Sequence, residues 1–70
     1  MTMWTVDLQG KHGSHFCTLT LTVGGNDPDQ SGELAVQLSR LRAWQDEHGG
    51  ISLHPPKVED MTVRRCVRCE

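Results

Sequence analysis

Three cysteines and four histidines hold most of the reactive chemistry in this chain. Cys66-Val67-Arg68-Cys69 is a C-x-x-C, the spacing of half a zinc site or of a redox pair. Zinc sites of this kind need two such turns facing each other. Here there is one, at the chain end, without the glycine and proline that shape a knuckle. In a regular strand Cys66 and Cys69 point to opposite faces. A set of Cys17, Cys66 and Cys69 with His15 or His12 would nevertheless be tetrahedral and chemically sensible for zinc. The plainer expectation is three ordinary thiols and no cofactor. A Cys–His nucleophile pair can be drawn from Cys17 with His15 or His48. No oxyanion motif or telling carboxylate pair accompanies it. GGNDPD lacks the G-x-G-x-x-G or G-K-[ST] of a phosphate loop. The chain reads as a non-enzyme.

Charge marks further candidates. Arg64, Arg65 and Arg68 form the one tight basic group and could meet phosphates. Against nucleic acid stand a formal net charge of −2, a pI near 6.0 and no aromatics among the arginines. Asp27, Asp29 and Glu33, and separately Asp46 and Glu47, are acidic groups able to occupy a basic groove on another protein. Val36 lies on the back of the expected helix. Trp44 lies at the flank of its apolar stripe, as core or as the anchor of an interface.

The elements that must position these residues follow from periodicity. Met3 to Gln9 alternates, with Trp4, Val6 and Leu8 on one face. His15 to Val23 alternates too, with Cys17, Leu19, Leu21 and Val23 together. The GKHGS segment between them is a glycine turn, so residues 2–23 are expected as a hairpin. From Asp27 onward the period changes. Asp27 or Ser31 can cap a helix over 28–48 or 32–48, with Pro28 at its first position and Gly49 as its left-handed stop. Its stripe would be Leu34, Leu38 and Leu41. The region 51–69 reads as strand, with a short piece at Ile51 and a last strand from Met61 whose apolar face Arg65 interrupts.

Seventy residues suit one small domain. The expected fold is α+β: an antiparallel sheet of three or four strands, in chain order ββαβ or ββαββ, with one amphipathic helix on one face. Nothing in the chain covers the other face. No stretch approaches the roughly 20 apolar residues of a membrane span. The odd cysteine count suggests reduced thiols and a cytoplasmic setting. Two function classes follow. One is a non-enzymatic protein-binding module, such as a phage or mobile-element accessory protein that inhibits a host defence complex by occupying a surface. The other is a small zinc- or nucleic-acid-binding domain using the cysteines and C-terminal arginines. Pairing with a second copy through an exposed strand edge is also open.

Overall fold

The computed structural model describes residues 2–46, 48–52 and 55–69, with the backbone alone at His12 and Ser52. Its elements are β1 (Thr2–His12), β2 (His15–Gly25), α1 (Pro28–Ser39), β3 (Trp44–Asp46), β4 (Ile51–Ser52) and β5 (Met61–Arg68). A 3-10 turn at Val58–Asp60 precedes β5. The strands form one antiparallel sheet in the order β4-β3-β2-β1-β5. This is the expected α+β arrangement, one helix on an antiparallel sheet.

The hairpin runs in unbroken register from Thr2 opposite Gly25 to His12 opposite His15. Gly13 sits at the turn with φ 64°, a conformation that strongly favours glycine. Alternation then decides the core. Val6, Leu8, Cys17, Leu21 and Val23 all turn to the helix side and are buried, with Trp4 and Leu19 packed beside them. The opposite face carries Thr5, Asp7, Gln9, Thr18, Thr20 and Thr22.

The longer of the two helix starts is the one used. Asp27 caps it by accepting from the Gln30 N–H at 2.8 Å, and Pro28 follows. The Gln30 side chain reaches back to the Asn26 N–H at 2.7 Å, one residue before the cap. The expected end at residue 48 is wrong: the helix stops at Ser39. The expected stripe is wrong as well. Leu41 is 86% exposed and Leu38 36% exposed, and only Leu34 packs on the core. The buried helical residues are Ser31, Gly32, Ala35 and Ser39. Their small side chains let the helix sit close on the sheet. The two buried hydroxyls cost little, since each donates to its own helix: Ser31 Oγ to the Asp27 carbonyl at 2.9 Å and Ser39 Oγ to the Val36 carbonyl at 2.7 Å.

Trp44 explains both corrections. It is fully buried, lies in β3 rather than on the helix, and donates its indole N–H to the Ser39 carbonyl at 3.1 Å. Reaching that position requires the chain to leave the helix at Ser39. Burying an indole removes roughly 150–250 Å² from water. Gly10 makes room opposite: a Cβ there would run into the ring of buried Pro56 and lie 3.5 Å from Trp44 Cζ3. Gly49 does adopt a positive φ of 87°, but in the β3–β4 turn and not at a helix end.

β5 contains the other departure from regular alternation. Asp7 pairs with Arg65 and Leu8 with Val63, so Arg64 is an extra residue, a β-bulge. The bulge resets the phase. Met61, Val63 and Cys66 all face the helix side, whereas a regular strand would have put Arg65 in line with Met61 and Val63. Among the described residues no helix is long and apolar enough to cross a membrane.

Candidate functional site

The cysteines and histidines are not brought together as a zinc set. Cys17 pairs across to Gly10 of β1, and Cys66 pairs to Val6 from the other side of β1. They are therefore roughly 10 Å apart across the sheet and roughly 13 Å apart along it. Cys69 is on the opposite face from Cys66, its Sγ 3.1 Å from Thr5 Oγ1. His15 is at the far end of the hairpin and exposed. The side chain of His12 lies outside the described residues. Among the described residues, no group of three or more His, Cys, Asp or Glu is placed to hold a metal ion.

Nor is Cys17 set up as a nucleophile. It is buried and its thiol lies 3.6 Å from the Gly10 carbonyl. Burial, followed by the nearby Asp46 charge, pushes its pKa up, away from the thiolate a nucleophile needs. Burial likewise raises Cys66, with Asp29 adding to it; its thiol faces the Pro28 carbonyl at 3.9 Å.

The acidic candidates divide. Asp27 is used as the helix cap. Asp46 is used in the β3–β4 turn, where Oδ1 accepts from the His48 N–H at 2.8 Å and the Gly50 N–H at 2.9 Å. Those two bonds, Gly50 first, hold its carboxyl below the usual carboxylate range, with smaller help from His48 and His15. The two imidazoles lie nearby with ring centroids 5.8 Å apart. A depressed folded-state pKa means that Asp46 stabilises the fold above its unfolded value and loses that contribution as pH falls through the folded one. The melting temperatures of the native chain and Asp46→Asn should therefore differ at neutral pH and converge below the ordinary carboxylate value of 3.8. A constant gap from neutral pH downward would contradict this role. Glu47 lies outside the described residues. Trp44, fully buried, is core and is excluded as an interface anchor.

Asp29, Glu33 and Val36 do meet, and they meet β5. They line a groove of about 730 Å³ between α1 and the β5 edge, together with Gly32, Arg40, Val58, Val63 and Cys66. Val58 and Val63 are 47% and 39% exposed. Arg64 and Arg65 line a cleft on the opposite face of the sheet with Asp7, Thr18 and Thr20, where Thr20 Oγ1 donates to Asp7 Oδ1 at 2.9 Å. The bulge is what puts both arginines on that side. Arg68, exposed, pairs opposite Trp4 at the end of β5.

Sequence reasoning missed Val58 and Val63 as surface residues. Val63 reads as an ordinary core position in an alternating strand. The signal that bears on it is the Arg64-Arg65 pair, two charged residues in succession where alternation allows one. Comparison with protein-family models, curated proteins and solved structures finds no match.

Proposed function

We propose that this chain is a non-enzymatic protein-binding module that works by occupying a partner's surface, in the manner of a small accessory or inhibitor protein. The observation that supports this reading is the groove between α1 and β5. It sets half-exposed Val58 and Val63, with the partly buried Val36 between them and the core, among charged side chains beside the β5 edge. Apolar surface rimmed by charge is the usual composition of a contact site on a small protein.

Capture from a lysate tests it through two surface variants. Val58→Glu puts a charge into the groove at a position that is already half exposed. Leu41→Glu does the same on the exposed turn after the helix, outside the groove. The groove variant should weaken retention of a protein partner roughly tenfold, the loss of one interface contact worth more than 1 kcal/mol, and Leu41→Glu should leave it unchanged. Equal retention by Val58→Glu and the native chain would rule the groove out.

A further inference from the structure

The groove runs along the outer edge of β5. Among the described residues β5 pairs with β1 alone and ends the sheet. The Cys69 N–H donates to the Met3 carbonyl at 2.9 Å. In an antiparallel ladder the inward-turned residues alternate from there, so Arg65 and Val67 also turn toward β1. Cys66 and Arg68 direct their backbone N–H and C=O groups away from it. We infer that this edge accepts an extended segment of another protein as a sixth strand, and that the segment alternates apolar with acidic residues.

The alternation follows from what lies on either side of the edge. An added strand sends successive side chains to opposite faces. Those on the helix side enter the groove at Val36, Val58 and Val63, whose apolar surface favours apolar side chains. Asp29 and Glu33 line the same groove against the single opposite charge of Arg40, so its balance opposes acidic residues there. Those on the other side come down beside Arg64 and Arg65. Backbone pairing supplies general affinity and the two faces supply the pattern, the logic of strand addition to an exposed edge.

Charge also argues against a second copy as occupant. β5 holds three arginines and no acidic residue. Two such strands paired antiparallel about their middle would set Arg64 against Arg65 of the other copy in both directions, and like charges directly opposite are destabilising. Arginines on an edge are a known deterrent to self-pairing. An acidic segment turns the same charges into attraction.

This inference rests on the reading of the groove as a protein-binding surface. Its test uses a labelled synthetic peptide of alternating valine and glutamate, an otherwise identical valine–lysine peptide, and the intact chain. Fluorescence anisotropy should show the glutamate peptide binding about tenfold more tightly than the lysine peptide, with the difference shrinking as salt rises. Arg64→Glu, at the bulge where no ladder pair is lost, should remove that preference. Amide hydrogen exchange should slow at Cys66 and Arg68 when peptide is bound. Equal affinity for the two peptides, binding without protection of those two amides, or sedimentation showing that the chain pairs with itself through β5 would each overturn it. If the peptide fails while Val58→Glu still weakens partner capture, strand addition falls and the groove reading stands. If both fail, both are wrong.

Discussion

Replacing Trp44 with alanine is expected to leave little folded protein at room temperature. Trp44 is fully buried, and it is the largest of the fully buried side chains. It joins three parts of the chain at once. Its backbone pairs with Ser52 of β4, its indole N–H satisfies the last helical carbonyl at Ser39, and its ring lies over Gly10 of β1. Truncating a buried tryptophan to alanine costs about 3–5 kcal/mol. A chain of this length has a total stability of roughly 4–10 kcal/mol. In the lower half of that range the loss takes most or all of the stability there is. Urea unfolding followed by circular dichroism checks it. A midpoint close to that of the native chain would mean that Trp44 is not the residue on which β3 and the helix end depend. Trp44→Phe is the informative companion. It keeps most of the apolar volume and leaves the Ser39 carbonyl with the Arg42 N–H, at 3.2 Å, as its remaining donor, so it should cost about 0.5–1.5 kcal/mol.

The second large effect is Leu8→Ala, with Leu41→Ala as its opposite. Leu8 is 1% exposed, in β1 between Leu19 of β2 and Val63 of β5. Its truncation leaves a cavity under the helix and should cost about 2–5 kcal/mol. Leu41 is 86% exposed, so its truncation should change stability by less than about 0.5 kcal/mol. Helical periodicity in the sequence puts Leu41 in the core and so expects the reverse. Thermal melts of the two variants side by side separate these views. A loss at Leu41 as large as at Leu8 would mean that the helix continues past Ser39 after all.

That contrast marks how far the sequence is legible. The hairpin and its buried face can be read, because strand alternation and a glycine turn are local properties; its ends cannot, since Gly10 to His12, which read as turn, and Gly24 and Gly25, which read as exit, are paired in the strands. The helix cap can be read for the same reason: Asp27, Pro28 and Gln30 act within one turn of each other. The helix end cannot. Ser39, Leu41 and Trp44 satisfy a helical pattern as well as they satisfy the turn and strand actually formed. What separates the two is whether Trp44 gains more beside Gly10 and Pro56 than on a helix flank. Both of those partners are distant in sequence. The candidate site was legible in part. Asp29, Glu33 and Val36 were marked as surface residues, and they do line the groove. Trp44 was marked with them and is core.

The chain's own residues thus determine where strands alternate and narrow the helix start to a cap at Asp27 or Ser31. The tertiary structure decides the rest. It ends the helix at Ser39, chooses the small-residue face of α1 for burial, and inserts the Arg64 bulge that keeps Arg65 off the helix side. Each of those choices balances a local preference against burial of groups far apart in sequence, and a pattern read along one segment contains only the first half of that balance.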